Sequence, residues 1–284
     1  MLENQKIAFI GPGVMAEAMI SGLIRRNFAQ PKMLTAAGPT IERLSHLATK
    51  YGIFTDTDNA QAVRNADVVV LSVKPQRLDK VMIGMRGHIK PSALVLSIIA
   101  GASIDKISHG LGHEIVVRSM PNTPAQIGEG ITVWTASSQV SERQREVAQQ
   151  ILQALGEEIF VEDEIYLDMA TALSGTGPAY VFLFMEAMVD AGVHLGFPRR
   201  IAELLVAQTV RGSVDFYRNH EDAIHFARLR NQVTSPGGTS AAALYYLEKA
   251  GFRTAISRAI WAAYERSREL GRSSKPHAPE GESS

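Results

Sequence analysis

A glycine-rich turn near the start of the chain has the residue types and spacing that bind a pyrophosphate. Gly11-Pro-Gly13-Val-Met-Ala16 follows the apolar run Ile7–Ile10 and opens a predicted helix. The first glycine permits a tight turn, the second lets the backbone approach phosphate, and the alanine lets helix and strand pack closely. Free N–H groups at the helix start can bind the phosphates. The segment predicts a dinucleotide-binding turn; the alternative is a glycine turn that binds no ligand.

The segment after the second predicted strand indicates which dinucleotide this turn binds. NAD sites usually place a carboxylate there, which binds the ribose 2′-hydroxyl. No carboxylate occurs from Thr35 to Thr40. A 2′-phosphate would therefore meet no repulsion, and Gly38, Thr40 and Arg43 could contact it. We expect NADPH in preference to NADH; the alternative is a tolerant site that takes either.

Three further loops follow predicted strands and are expected to reach the ligand. Ser72–Pro75 follows a valine-rich run, Ala100–Gly101 ends the next run, and Met120–Pro124 follows a third. Ligands of parallel sheets bind beyond the carboxyl ends of the strands. Lys74 should therefore touch the cofactor, unless it is an ordinary surface lysine. Asn122 offers a polar group to a substrate.

A second glycine-rich segment lies in the other half of the chain. Val233–Ser240 contains Ser-Pro-Gly-Gly and precedes the predicted helix Ala241–Lys249. Glycines and hydroxyls before a helix leave N–H groups free for an anion. The alternative is ordinary capping of the helix by Thr239 or Ser240. Ser174–Ala179 forms a similar turn, so we expect one glycine-rich site for phosphate and another for a small carboxylate.

The elements that position these loops alternate between strands and helices as far as Val161. Apolar strands in such an alternation indicate a parallel sheet covered by helices on both faces. Beyond Asp163 the patterns predict helices alone. The predicted strands are 6–10, 33–36, 53–55, 67–73, 93–99, 114–118, 130–135 and 158–161. The predicted helices are 16–26, 41–51, 78–84, 104–111, 142–155, 164–173, 178–195, 198–218, 222–230, 240–249 and 253–270.

This pattern predicts an α/β domain followed by an all-α domain. Residues 1–162 form an N-terminal Rossmann-type domain with a doubly wound parallel sheet, and residues 163–271 form a helical substrate and dimerisation domain. The tail, residues 272–284, is rich in serine, proline, glycine and charge, and is expected to be disordered. The apolar run Tyr180–Val189 must be buried on several sides. We therefore expect a homodimer, with a compact monomeric bundle as the alternative.

Composition excludes several classes of function. Lys and Arg together number 29, as do Asp and Glu, so nucleic acid is not an expected partner. There is no cysteine, which excludes thiolate catalysis and fits a cytoplasmic protein. His109 and His113 are interpreted as surface residues, and no metal site is expected. Ala93–Ala102, a ten-residue apolar stretch, is too short to span a membrane, and no membrane partner is expected.

The long helix after the nucleotide domain lacks a lysine that could act as a strong acid or base. No lysine occurs between Lys106 and Lys249. The acidic and basic side chains of Pro178–Leu195 are Glu186, Asp190 and His194. Reduction of a C=N bond fits this helix better than reduction of a carbonyl, because a protonated imine already carries its positive charge.

Together these motifs resemble the delta-1-pyrroline-5-carboxylate reductase family. The most specific segment is Leu229–Leu244, whose centre, Val233–Gly238, is similar to the family signature. The resemblance extends from the first strand to about Leu270. Supporting segments are Ser174–Tyr180, Met120–Pro124, Val73–Pro75 and Gly251–Arg253.

The resemblance implies that NADPH, or NADH, reduces the cyclic imine pyrroline-5-carboxylate to L-proline, and that the chain forms homodimers, which could assemble further. It places the substrate carboxylate on Gly237, Gly238 and Thr239. A hydroxyl near the ring nitrogen is usually threonine in the family and is Ser240 here, the expected catalytic residue, with Thr239 as the alternative. We also expect Val233, Ser235 and Asn122 to contact the substrate. The expected cofactor contacts are Gly11, Gly13, Val14, Met15, Ala37, Gly38, Asn59, Val73, Lys74, Pro75, Ala100 and Gly101.

Two other functions stay open at this point. The chain could reduce a related imine or a β-hydroxyacid, since the same layout serves such enzymes. It could also be a dinucleotide-binding protein with a silent site. The intact glycines and hydroxyls of residues 233–240 argue against a silent site.

Overall fold

The structure is a computed structural model that describes residues 2–220 and 224–272 of the 284-residue chain. Packing divides the chain into two compact units. The first contains the residues up to Thr176 and those from Ala263 onward, and the second is Gly177–Ala262. Each unit has its own secondary structure and its own apolar core.

An eight-stranded sheet forms the centre of the first unit, with the order β3-β2-β1-β4-β5-β6-β7-β8. All neighbouring strands are parallel except β6 and β7. The Rossmann-type fold is thus confirmed, and the expectation of a fully parallel sheet is wrong at this pair. The connection from β6 to β7, Pro121–Glu129, is too short for a crossover, so the chain turns back. The strands are β1 Ile7–Ile10, β2 Leu34–Ala37, β3 Phe54–Asp56, β4 Val68–Leu71, β5 Leu94–Ser97, β6 Val116–Met120, β7 Gly130–Ala136 and β8 Gly156–Phe160.

Helices cover both faces of this sheet. Asn59–Arg64 is a short helix that the sequence patterns did not predict, because six residues are too few to show a helical period. It begins at Asp58, whose Oδ1 accepts a hydrogen bond from the Ala60 N–H at 2.8 Å. The helices of this part are α1 Val14–Arg25, α2 Ile41–Tyr51, α3 Asn59–Arg64, α4 Pro75–Met85, α5 Ile104–Leu111, α6 Glu142–Gln153 and α7 Ile165–Ala170.

Alternate residues of the strands point into two separate cores. Ile7 and Phe9 of β1 pack with α1, α2 and α6, whereas Ala8 and Ile10 pack with α3, α4 and α5. This is the two-residue period of a strand buried on both faces. His113 also proves to be buried, contrary to its interpretation as a surface residue, because its Nε2 lies 2.7 Å from the Ala93 carbonyl oxygen.

The change from α/β to helical structure comes after β8, close to the predicted position. The packing boundary comes later, because α7, a π-helical turn at Thr171–Gly175 and the end of the last helix belong to the first unit. Leu167 and Ala172 are both buried there. The secondary structure and the packing of this segment therefore place the division at different residues.

Among its described residues, the second unit consists of helices joined by loops, without a strand. Its core is small, with Val189, Ala202 and Val206 as its buried apolar residues. The first two residues of the predicted helix 222–230 lie outside the described residues. The helix that the structure describes there starts at Phe226. Of the predicted disordered tail, residues 272–284, the first residue, Arg272, is the end of a helix, and residues 273–284 lie outside the described residues. The helices are α8 Gly177–His194, α9 Arg199–Arg218, α10 Phe226–Gln232, α11 Thr239–Lys249 and α12 Phe252–Arg272, which continues into the first unit.

Large apolar side chains lie on the surface of the second unit. On α8, Phe182 is 64% exposed and Leu183 is 67% exposed, although this helix is apolar nearly all round. Both line an open groove of about 490 Å³ with Arg199 and Glu203. By length and composition, Ile165–His194 is also a helical stretch that could cross a membrane. A single protomer thus leaves uncovered an apolar surface that needs a partner or an apolar environment.

Candidate active site

The glycine turn lies where the strand order reverses, between β1 and β4, which is where Rossmann-type sheets bind dinucleotides. Gly11 has φ +91°, and a Cβ there would lie 2.6 Å from Val73 Cγ1. At Gly13 a Cβ would meet no atom within 4 Å. Gly13 caps α1 with no side-chain hydrogen bond, so the first N–H groups of the helix stay available to an anion.

Ser72 connects the end of β4 to this turn. Its hydroxyl donates to the Gly11 carbonyl oxygen at 2.6 Å, and its backbone N–H donates to the Ile10 carbonyl oxygen at 2.9 Å. The two strands on either side of the reversal are therefore joined at their carboxyl ends.

A cleft of about 880 Å³ opens at this edge of the sheet. It is large enough for a nucleotide. The predicted cofactor residues that line it are Gly11, Gly13, Gly38, Asn59, Val73 and Lys74. The other residues that line it are Pro12, Pro39, Thr40, Arg43, Thr57, Asp58, Ala60, Ser72, Arg77, Lys80, Val81 and Gly84.

Asn59 has the strongest sign of a missing ligand in this cleft. Its Oδ1 is buried and has no hydrogen-bond partner among the described residues. A buried acceptor without a partner costs free energy, about 1–3 kcal/mol, which a ligand donor would recover. The residues present therefore fit a cofactor that donates a hydrogen bond at the start of α3.

Arg43, on α2, reaches back to the glycine turn. Its Nε donates to the Pro12 carbonyl oxygen at 2.8 Å, and its Nη2 donates to Glu17 on α1. Glu17 also accepts hydrogen bonds from Lys50 and Tyr51, both at 2.9 Å. Burial acts to raise the pKa of Glu17, but the hydrogen bonds from Lys50, Arg43 and Tyr51 outweigh it and lower the pKa to about 2. Glu17 is therefore ionised and orients Arg43 at the cleft.

Positive side chains surround the part of the cleft nearest α4. Lys74 precedes the helix, and Arg77 and Lys80 follow on its first turns, all lining the cleft. Residues three apart on a helix share a face. Together with Arg43, which also lines the cleft, these cations are suited to bind an additional phosphate group. Asp58 is the acidic residue in the lining, and its Oδ1 accepts a hydrogen bond from the Ala60 N–H.

Several predicted cofactor residues are not part of the lining of the cleft. Val14 and Met15 are the first residues of α1, where their N–H groups have no helical acceptor. Ala37 is fully buried at the end of β2, and Pro75 begins α4. Gly101, with φ +71°, packs against the end of α12. Ala100, which precedes Gly101 in the same loop, is also not part of the lining.

Asn122, a predicted substrate residue, has a structural partner in the first unit. Its Oδ1 accepts a hydrogen bond from the Ile131 N–H at 3.0 Å. This bond closes the loop that joins β6 to β7. The oxygen of the carboxamide is therefore engaged, and the NH₂ group is what remains for a ligand.

The remaining predicted substrate residues lie together in the second unit, at the start of α11. Gly237 has φ +71°, a conformation that favours glycine, and Gly238 caps the helix without a side-chain bond. The Gly238 N–H donates to the Ser235 carbonyl oxygen at 3.0 Å, which makes a tight turn. Thr239 and Ser240 are the first helical residues, so their N–H groups face outward along the helix axis. Val233, the first of these residues along the chain, is 67% exposed.

The sequence patterns missed part of the cleft. Thr57 and Asp58 follow the third parallel strand, and the rule that ligands bind beyond strand ends could have found them. Arg77 and Lys80 could have been found from their spacing of three residues after Lys74. No pattern could have found Glu17, because its role depends on contacts with α2.

Comparison with protein families matches both halves of the chain. A family model described as pyrroline-5-carboxylate reductase dimerisation matches residues 164–270. A second, described as NADP oxidoreductase, coenzyme F420-dependent, matches residues 6–101. The pyrroline-5-carboxylate reductase of Pseudomonas aeruginosa is 41% identical over 270 residues, which cover 95% of this chain and 98% of the relative.

Solved structures agree with this result. A pyrroline-5-carboxylate reductase from Coxiella burnetii is 37% identical with a TM-score of 0.87, over 94% of this chain and 99% of that one. The Plasmodium falciparum pyrroline carboxylate reductase, solved with NADP bound, is 32% identical with a TM-score of 0.86, over 95% and 99%. The likeness covers nearly the whole of each protein and includes both the cleft and the Gly-Gly turn. The chain therefore belongs to the pyrroline-5-carboxylate reductase family.

Proposed function

We propose that this protein uses NADPH to reduce 1-pyrroline-5-carboxylate to L-proline. The observation that carries the proposal is its near full-length similarity to reductases of that name. The cleft of the first unit and the Gly-Gly turn of the second are the two sites that such a reaction requires. Residues 163–271 then serve as the substrate and dimerisation domain, and residues 1–162 as the cofactor domain.

In the cleft, the chain's own residues bind and orient the cofactor. The N–H groups at the start of α1 bind the pyrophosphate, and Asn59 accepts a hydrogen bond through its free Oδ1. Arg43, with Thr40 and the cations of α4, binds the 2′-phosphate that distinguishes NADPH from NADH. When bound, the reduced nicotinamide supplies a hydride.

At the Gly-Gly turn, the first N–H groups of α11 bind the carboxylate of the imine. This is the usual favourable placement of an anion at a helix N-terminus. The Ser240 hydroxyl hydrogen-bonds the ring nitrogen and orients the C=N bond. A protonated imine that accepts a hydride at carbon becomes a neutral amine, so no strong acid on α8 is required. Positioning then supplies most of the rate enhancement.

A homodimer completes the proposed enzyme. The exposed apolar groove of α8 lies within the part of the chain that the dimerisation model matches. A second copy covering Phe182 and Leu183 would remove that surface from water. A cytoplasmic location without membrane contact stays a prediction, and so does any assembly larger than the dimer.

The decisive experiment is to follow NADPH absorbance with purified protein and 1-pyrroline-5-carboxylate. We expect oxidation that depends on the imine, formation of L-proline, and a lower KM for NADPH than for NADH. Parallel assays use a six-membered cyclic imine carboxylate and a β-hydroxyacid with NADP. Faster turnover of either would assign the protein to a different substrate class. Tight NADPH binding with no turnover of any of them would identify a silent dinucleotide-binding protein.

A further inference from the structure

A buried polar cluster outside the cleft joins four separate elements of the first unit. Arg118, on β6, is 5% exposed. Its Nη1 donates to Glu164 at 2.7 Å and its Nη2 donates to Asp168 at 3.0 Å. The two carboxylates lie four residues apart around α7. Because the guanidinium is planar and rigid, it can contact both only when α7 has one rotational setting.

Each carboxylate also accepts a hydrogen bond from a further element. Glu164 accepts the N–H of Ile104, the first residue of α5, at 2.9 Å. Asp168 accepts the hydroxyl of Ser267, on the last turns of α12, at 3.1 Å. Ser267 is 3% exposed, so its hydroxyl has little access to water as an alternative partner. Arg118 thus connects β6 to α5 and α12 through α7.

Both of these connections meet at the loop of residues 99–103. Ile104 follows the loop directly, and Gly271 lies one helical turn after Ser267. A Cβ on Gly101 would come within 3.2 Å of the Gly271 N–H nitrogen, so the end of α12 packs tightly against the loop. The loop is therefore held at its C-terminal end by Glu164 and covered at Gly101 by α12.

Stability alone is a weak explanation for this cluster. A buried ion pair is seldom more stabilising than well-packed apolar residues of the same volume, because both charges lose their hydration. The elements that it connects are also specific. Asp168 lies on the segment that leads along the chain into the second unit, and Ser267 lies on the segment that leads out of it. One arginine therefore restrains both connecting segments and a loop at the carboxyl edge of the sheet.

We propose that Arg118 is a positioning residue that acts through Glu164, Asp168 and Ser267 to hold the Ala100–Gly101 loop in the place required for reaction at the nicotinamide. The proposal rests on the proposed function and on the expectation, implied by the family resemblance, that this loop contacts the cofactor. It does not make Arg118 a catalytic residue, since no reacting group touches it. Displacing a positioned group by about 1 Å can lower a rate about 100-fold.

The test uses Ser267→Ala and Arg118→Lys, with Ser45→Ala as the control. Ser45 is an exposed serine on α2, so its replacement makes the same chemical change away from the cluster. Arg118→Lys keeps the positive charge but cannot bond two carboxylates through a planar fork. Thermal unfolding establishes that each variant is folded at the assay temperature.

The expected result is a change in kcat without a matching change in NADPH affinity. We expect kcat to fall about 10- to 100-fold for Arg118→Lys and by a smaller factor for Ser267→Ala. The KM for NADPH should stay within about threefold, because the phosphate turn is untouched, and the primary isotope effect from deuterated NADPH should rise. Amide exchange of residues 99–104 should accelerate, including the Ile104 N–H. Ser45→Ala should match the wild type throughout.

Two outcomes would overturn the proposal. One is a lower melting temperature with unchanged kcat and isotope effect, which would leave Arg118 a purely structural residue. The other is unchanged amide exchange in residues 99–104. If the wild type binds NADPH but does not reduce the imine, the proposed function fails; amide exchange of residues 99–104 in the variants then decides separately whether the cluster holds the loop.

Discussion

The Arg43 guanidinium donates a hydrogen bond to the Pro12 carbonyl oxygen across 2.8 Å, so α2 is tied to the glycine turn. The same guanidinium lines the cleft and pairs with Glu17. One side chain thereby connects α2, which follows the loop proposed to distinguish NADPH from NADH, to the turn proposed to bind the pyrophosphate that both cofactors share. Mutation of this residue therefore tests whether Arg43 selects the cofactor or only supports the glycine turn.

We expect Arg43→Ala to raise the KM for NADPH about 10- to 100-fold, because hydrogen bonds to a charged group contribute about 1.5–3 kcal/mol. The KM for NADH, which lacks the 2′-phosphate, should change much less. Steady-state kinetics with both cofactors measure the difference. Arg26→Ala removes an exposed arginine at the end of α1 and serves as the control. An equal loss for both cofactors would mean that Arg43 only supports the turn.

Replacing Glu17 with glutamine should make stability less dependent on acid pH. The pKa of Glu17 is lowered to about 2 in the folded protein, from an ordinary 4.5. A lowered pKa means that the carboxylate stabilises the fold above about pH 4.5 and loses that contribution as the pH falls toward 2. Glu17→Gln should therefore lower the free energy of unfolding at pH 7, with the deficit shrinking below pH 4.5. Urea titrations at several pH values test this, and a deficit of equal size at pH 7 and pH 3.5 would contradict it.

The Oδ1 of Asn59 has no partner among the described residues, so we expect Asn59→Ala to affect the melting temperature differently with and without NADPH. Asn59→Ala removes a buried acceptor that has no partner, so the melting temperature without cofactor should stay the same or rise slightly. At the same excess of NADPH, the melting temperature of the variant should rise less than that of the wild type, because stabilisation by a ligand grows with the logarithm of its affinity. Asn65→Ala, an exposed position at the end of α3, is the control. An identical NADPH-induced shift in both proteins would remove Asn59 from the site.

Ser240→Ala should lower kcat about tenfold, the loss expected for one hydrogen bond of about 1.4 kcal/mol. NADPH binding should be unaffected. Ser240→Thr, which restores the residue usual in the family, should keep most of the activity. The companion variant Thr239→Val tests the other hydroxyl. If Thr239→Val loses kcat and Ser240→Ala does not, Thr239 takes the assigned role.

A charge on the exposed face of α8 should separate the subunits. Leu183→Glu places a carboxylate on a residue that is two-thirds exposed in one protomer and that a dimer would bury. Light scattering should show the mass falling from dimer to monomer at micromolar concentration. Ile83→Glu makes the same change at an exposed apolar residue of α4 and should leave the mass unaltered. Dimers that persist in Leu183→Glu would place the interface elsewhere.

The amino-acid sequence by itself determined most of the elements and the glycine turn after β1. Gly11–Ala16 comes directly after an apolar strand, and the bounds of α2 and α5 match the predicted helices because apolar periodicity and capping residues are local signals. The same signals located the Gly-Gly turn before α11. The antiparallel pairing of β7 escaped them, because strand direction depends on how the connecting loop folds back.

Only the tertiary structure decided which side chains act together. Glu17 meets Arg43 across 26 residues, and Arg118 meets Glu164 across 46, so neither contact leaves a periodic trace in the sequence. The free Oδ1 of Asn59 likewise depends on everything packed around it. Local patterns report the preferences of neighbouring residues, whereas hydrogen bonds between distant elements follow from the close packing of the whole core.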